Sequence, residues 1–436
     1  MGRGRLLRLG LFQLAAGSSS VIFLGTVNRV MRVEFGLDVF LVSLLVGGGH
    51  YLGGLASIPF GHYSDTHRLG GYRRTAYALA GALVTATCLA AAPLVVQWLA
   101  AHQTALAWSL GFLFFLTEGL ATAIGGTAYL ALIADLTTEK ERGPATGVVW
   151  TMLMVGIIFT GIASGVVLDP YSFAAFETLA WLAAGFALVL GVAALAGQEP
   201  RVTAASVVPA EAGPGFAASL RLLLSSRQAR WFAAFLGLAL FSFFMYDVIL
   251  EPFGGEVFAL AAGATARFNS YLGVGVILGM LLGGSVLIPR FGKPRITGLG
   301  CWLMGGAFAL LALAGFTEQT RLLTPAITAL GFGSGLFTVG GVALMMDLTA
   351  AQHTGLFAGA WTLVRTLATG PASVAGGALV AGFAGLGATA GRAYGLVFAL
   401  EGVGVVVAAF LLARVGVQSF KREVAPFGQL ASEAMD

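Results

Sequence analysis

Apolar stretches near the ~20 residues that cross a bilayer as a helix recur twelve times in this chain, at about 9–33, 38–60, 74–98, 105–134, 145–168, 174–197, 229–250, 266–288, 295–317, 322–346, 355–383 and 393–415. With 58% hydrophobic and only 10% charged residues, a water-soluble globule could not solvate its own surface. The expected fold is therefore an all-α membrane protein of twelve transmembrane helices. Glycine, at 63 of 436 residues, is about twice its usual share, as expected where spans pack closely through small side chains. Cys88 and Cys301 both fall inside apolar runs. They read as packing residues, with no disulfide and no metal site expected from them.

Arg3, Arg5 and Arg8 precede an apolar run and imitate a signal peptide, but the run continues through "VIFLGTV" to Val30, so an uncleaved first span is expected. The segment "GQEPRVTAASVVPAEAGPGFAASLRLLLSSRQAR" is the one long polar interruption. It divides the chain into a first six-helix bundle at 1–197, a linker at 198–228, and a second bundle with a tail at 229–436. If the spans alternate, 18 of the 24 Lys and Arg residues fall on one side. That side, with both termini and the linker, is expected to be cytoplasmic. The basic balance thus reflects topology and gives no reason to expect a nucleic-acid partner.

The two halves resemble each other. "ALIADLTTEKERGPATG" at 131–147 aligns without gaps to "ALMMDLTAAQHTGLFAG" at 343–359, with seven identities in seventeen at a constant offset of 212. Both copies end a fourth span within their half, so the repeat is parallel and the two bundles are expected to be pseudo-symmetric about an axis along the membrane normal. "GHYSDTHRLGGYRRT" at 61–75, between the second and third spans, has a weaker echo in "GSVLIPRFGKPRIT" at 284–297. The first copy resembles the cytoplasmic loop motif of the major facilitator superfamily in Gly61, Asp65, Arg68, Arg73 and Arg74, with a middle two residues longer than usual. The resemblance implies a gate in which the acid and arginines tie helix ends together. Plain positive-inside anchoring would place the same residues there. Ile288 stands near the acid's place in the second copy, so only the first loop is expected to form the charge relay.

Ionisable groups at membrane depth are functional candidates by default. His50, in "VGGGHYLGG", could ligate the magnesium of a chlorin, with three preceding glycines leaving room for a flat macrocycle. It could equally hydrogen-bond a neighbouring helix. Glu118, central to the fourth span, requires protonation or a partner from another helix. Arg365 is its basic counterpart in the second half, and the repeat puts Leu153 of the first half at the equivalent position. Both are candidates to line a central cavity. Asp247 and Glu251 share one helix face before Pro252, Gly254 and Gly255, which are expected to end the seventh span. They are expected at the outer surface beside Glu256, docking a partner or capping the bundle. Arg29, Arg32 and Glu34 form a similar cluster. Asp135 and Asp347 end the fourth and tenth spans, where they would meet loop arginines, and Thr138 with Glu141 fits a capping box. No Walker loop, dinucleotide fingerprint or metal-spaced histidine pair occurs, so no catalytic residues are assigned.

Four stretches, "LGLFQLAAGSSSVIFLGTVNRVMRVEFG", "GHYSDTHRLGGYRRTAY", "GTAYLALIADLTTEKERGPATGVVWTMLMVGIIFTG" and "YDVILEPFGGEVFALAAGATARFN", resemble the BCH/PucC family of photosynthetic bacteria, within the major facilitator superfamily. The resemblance runs from about residue 8 to 420. It implies a non-enzymatic role in assembling light-harvesting complexes. The expected partners are bacteriochlorophyll, antenna polypeptides, the reaction centre and membrane lipid, in a cytoplasmic or intracytoplasmic photosynthetic membrane. Some members carry a synthase label, but no aspartate-rich pair suited to magnesium and diphosphate is present. Two alternatives remain at this level: a proton-coupled secondary transporter acting through Glu118, and a permanent structural subunit of a photocomplex.

Overall fold

A bilayer offers no water to backbone groups, so the chain satisfies them inside long helices. The computed structural model describes residues 2–56, 60, 63–64, 67–199, 227–347, 354–416 and 419. Its membrane-length helices are α1 (Gly4–Glu34), α2 (Val39–Ala56), α3 (Thr75–His102), α4 (Ala105–Leu136), α5 (Glu139–Val167), α6 (Phe173–Leu195), α7 (Arg227–Phe258), α8 (Ala262–Phe291), α9 (Lys293–Thr317), α10 (Thr320–Asp347), α11 (Thr354–Gly385) and α12 (Ala390–Leu412). All twelve coincide with an apolar run of the sequence.

Each half packs its own core. Val96, Leu99, Phe115 and Phe176 are buried together in the first, and Phe232, Phe235, Phe308 and Phe398 in the second. Val39 packs into the second core, and Val248 and Ala262 into the first, so the apolar interior is stitched across the divide near one end. Large apolar side chains such as Trp181, Leu182 and Val189 of α6 point outward, as lipid-facing residues do.

Close approach of helices rests on glycine. A Cβ at Gly17 would meet the Leu153 carbonyl, one at Gly156 the Leu14 carbonyl, and one at Gly119 the His50 carbonyl. Each marks a backbone crossing that only hydrogen can occupy.

The helices are not uniform. α1 widens to π-type turns over Val21–Val27 and Val30–Glu34, and α2 over Leu44–His50. α7 is interrupted at Met245 and resumes over Tyr246–Phe258. Pro252 and its following glycines do not end this span, contrary to the sequence expectation. A proline withdraws the bond normally made to the carbonyl four residues back. That carbonyl, on Val248, instead accepts from Asn28 Nδ2 at 2.6 Å, so α7 continues to Phe258.

Several features order the arginine-rich end. Arg5 donates to the Gln198 side chain at 2.8 Å and its carbonyl at 2.6 Å, and Arg8 donates to the Ala193 carbonyl at 2.7 Å. The first arginines therefore cap the end of α6 as well as anchoring the chain. The Glu199 carboxylate accepts from the backbone N–H groups of Arg73, Arg74 and Thr75 at 2.7–3.2 Å, an anion seated on the start of α3. Thr138 and Glu141 form the expected capping box at the start of α5.

Candidate functional site

The loop between α2 and α3 is partly described. Gly61 and Asp65 lie outside the described residues. The described part of the loop contains a tight hairpin: Leu69 and Tyr72 exchange backbone bonds at 3.0 and 3.1 Å, with Gly70 and Gly71 at φ of 61° and 83°. Two successive positive φ values are what a two-residue turn of this hand requires. Arg74 is buried; it donates to Ser64 Oγ at 2.6 Å and reaches Asp135 at 3.4 Å. Arg68 and Arg73 flank this hairpin.

The second loop lacks the acid, and Lys293 at the start of α9 holds both oxygens of Asp347 at 2.8 Å. Helix start and helix end are tied in both halves, with lysine in place of arginine.

At mid-membrane the structure brings His50 and Glu118 together. Nδ1 of His50 lies 2.5 Å from Glu118 Oε2, and Thr122, one turn further along α4, donates to Oε1 at 2.8 Å. Thr85 of α3 extends the set through its 3.2 Å contact with Thr122. Glu118 is only 2% exposed; it is held between helices and does not face an open cavity, and its partner is His50 and not Arg365. Arg365 of α11 is not packed into the core, and it interacts electrostatically with Tyr51.

The glycines before His50 do not leave room for a chlorin. A Cβ at Gly47 would lie 2.6 Å from Ser373 Cβ, and one at Gly49 would lie 2.9 Å from Phe115 Cβ. The glycine face is filled by α11 and α4. The space that the sequence reading gave to a macrocycle on that face is occupied, and Nδ1 of His50 is engaged by Glu118.

Tyr51 carries the polar thread into the second half, donating to Asp247 Oδ2 at 2.5 Å. One turn along α7, Glu251 Oε1 accepts from Asn269 Nδ2 of α8 at 2.7 Å. Of the residues expected in a docking or capping cluster at the outer surface, Glu251 and Arg29 are instead buried, only 4% and 2% exposed. Arg29 donates to Glu34 at 2.5 Å and to the Leu260 carbonyl at 2.9 Å. Arg32 pairs with Glu256, which also accepts from Tyr394 at 3.2 Å. Burial of unpaired charge in a bilayer is costly, so these groups turn inward and bond one half to the other. Arg267 to Gly165 at 2.9 Å and Ser270 to Ile158 at 2.8 Å add to the same seam.

Sequence reasoning missed several participants. Thr122 lies one helical turn from Glu118, a spacing that could have flagged it. Tyr51 adjoins His50, but neighbours in a helix point apart. Asn269 and Glu401 carried no pattern. Glu401, in the apolar "VFALEGVGVVV", is fully buried, and neither carboxylate oxygen has a hydrogen-bond partner among the described residues. An apolar groove of ≈ 400 Å³ opens between α2 and α4, lined by Leu41, Leu44, Leu45, Trp108 and Phe112.

Comparison with known proteins covers nearly the whole chain. A family model described as PUCC protein matches residues 26–420. Protein PucC of Cereibacter sphaeroides is 32% identical over 416 residues, covering 91% of this chain and 88% of the relative. A Rhodobacter capsulatus protein named bacteriochlorophyll synthase 44.5 kDa chain is 32% identical over 426 residues, covering 94% and 95%. Among solved structures, the inward-facing, unoccupied bacterial homologue of the human lysosomal transporter Spinster superposes with a TM-score of 0.72 at 14% identity, covering 96% of this chain and 97% of that one. An inward-facing bacterial homologue of the iron transporter ferroportin gives 0.68 at 12% identity, covering 95% and 99%. These likenesses establish the two-bundle transporter fold.

Proposed function

The chain belongs to the PUCC protein family, and on that premise we propose that it is a non-enzymatic assembly factor for photosynthetic light-harvesting complexes. In this reading it handles bacteriochlorophyll, antenna polypeptides or both within a bacterial photosynthetic membrane, with both termini and the 198–228 linker cytoplasmic. The observation that carries the reading is the end-to-end match to relatives named PucC, at about a third identity with nearly all of both chains aligned. The synthase name of another relative is not extended to this chain. Among the described residues, His50 with Glu118 and Tyr51 with Asp247 meet across helices, contacts suited to ordering a scaffold.

The domain division at 1–197, 198–228 and 229–436 belongs to the same proposal, as does contact with the reaction centre. Deleting the gene in a photosynthetic host should lower antenna absorption while the antenna transcripts persist. Gentle purification of the tagged protein should recover antenna polypeptides or bound pigment. Normal antenna absorption in the deletion strain refutes the assembly role.

A second reading, secondary transport, is favoured by one feature: polar groups bridging two halves at mid-membrane, where transporters of this architecture bind substrates and coupling ions. Ligand-driven flux in proteoliposomes would support it.

A further inference from the structure

Between α1, α7 and α8 lies a small cavity of ≈ 20 Å³, whose wall includes Gly25, Asp247, Glu251 and Asn269. That volume accommodates one particle the size of a water molecule. Asp247 commits Oδ2 to Tyr51 and Glu251 commits Oε1 to Asn269. The second oxygen of Glu251, Oε2, is buried with no hydrogen-bond partner among the described residues. An acceptor left bare in a buried, low-dielectric position is expensive, since it loses water without gaining a donor. Nearby, Asn28 Oδ1 is likewise buried and unpartnered, although its amide nitrogen bonds Val248.

We propose that Asp247, Glu251 and Asn269 form a binding site for a single sodium ion. The donor set is carboxylate and amide oxygen, which suits a hard cation. Among the described residues no three His, Cys, Asp or Glu side chains converge, which disfavours a transition metal. The cavity has no space for the waters that magnesium retains. The neighbouring cation, Arg29, acts on Glu251 electrostatically but is held 2.5 Å from Glu34.

The wall is shared between the halves. Gly25 belongs to the first half, and a Cβ there would strike the Glu251 carboxylate. The cavity wall is complete only while α1 rests against α7 and α8, so sodium binding favours the state in which the halves meet at this end. This inference does not depend on the assembly function.

The test uses full-length purified protein and sodium chloride against equal potassium and choline chloride. Sodium should raise the melting temperature saturably, by about 2–4 °C, because a ligand bound only by the folded state stabilises it. Glu251→Gln and Asp247→Asn should abolish the shift, and Glu251→Asp should weaken it. Direct binding of radioactive sodium by wild type and Glu251→Gln provides the second measurement, read only on preparations that remain monodisperse. A melting temperature indifferent to sodium, or an equal response to all three salts, overturns the proposal. So does unchanged sodium binding in a well-folded Glu251→Gln, and so does protection by acid alone, which would mark the occupant as a proton.

Discussion

Lys293 holds both carboxylate oxygens of Asp347 at 2.8 Å, repeating in the second half the contact of Arg74 with Asp135 at 3.4 Å in the first. The repeat thus preserves a relationship between helix ends while exchanging the residues that make it. The Lys293 and Asp347 side chains are about a third exposed, so a double-mutant cycle of Lys293→Gln and Asp347→Asn should give a coupling of about 0.2–1 kcal/mol in thermal unfolding. High salt should reduce it. No coupling would make the second loop a mere anchor.

The His50–Glu118 contact predicts a graded response. Glu118→Gln keeps acceptor and donor capacity, so the protein should accumulate normally. Glu118→Leu leaves His50 and Thr122 without their shared partner and should cost about 1–3 kcal/mol. Membrane abundance and melting temperature separate the two variants. Equal behaviour would mean that the contact contributes nothing.

Glu401 makes the opposite prediction. A buried carboxyl with both oxygens unpartnered is a liability in an apolar span, so Glu401→Leu should raise the melting temperature. If the acid serves function, the same variant lowers antenna assembly, the usual exchange between stability and activity. Absorption spectra of membranes alongside thermal scans give both readouts. A fall in melting temperature would show that the carboxyl stabilises the fold.

Glu199 accepts three backbone N–H groups at the start of α3. Its removal in Glu199→Ala should cost about 0.5–2 kcal/mol, as loss of a helix cap does, with Glu199→Gln intermediate. Thermal unfolding of the three proteins checks the order.

The proposed orientation predicts reporter activity on the cytoplasmic side for fusions at either terminus and within 200–226. A periplasmic signal from any of the three would reverse the assignment of both halves.

What could be read in advance was whatever repeats or is long. Twelve apolar runs fix twelve helices, because a bilayer leaves the backbone few choices, and the 212-residue offset fixes their parallel duplication. The position of polar side chains was harder. Asp247 and Glu251 are on one face in the sequence, but which way that face turns depends on Asn28, 220 residues upstream, rescuing the carbonyl that Pro252 abandons. The glycines before His50 were legible as small, though not as already filled. The pairing of Glu118 with His50 rather than Arg365 is set by how α2 lies on α4, a tertiary fact without local pattern.

That lie is governed by a residue with no side chain. Gly119 faces the His50 carbonyl so closely that one methyl group would collide with it, and the neighbouring Glu118 owes its reach to that crossing. An inheritance screen for lost function should therefore return Gly119 as readily as Glu118. A survey confined to charged or aromatic positions would pass over the atom-sized gap on which the charged pair depends.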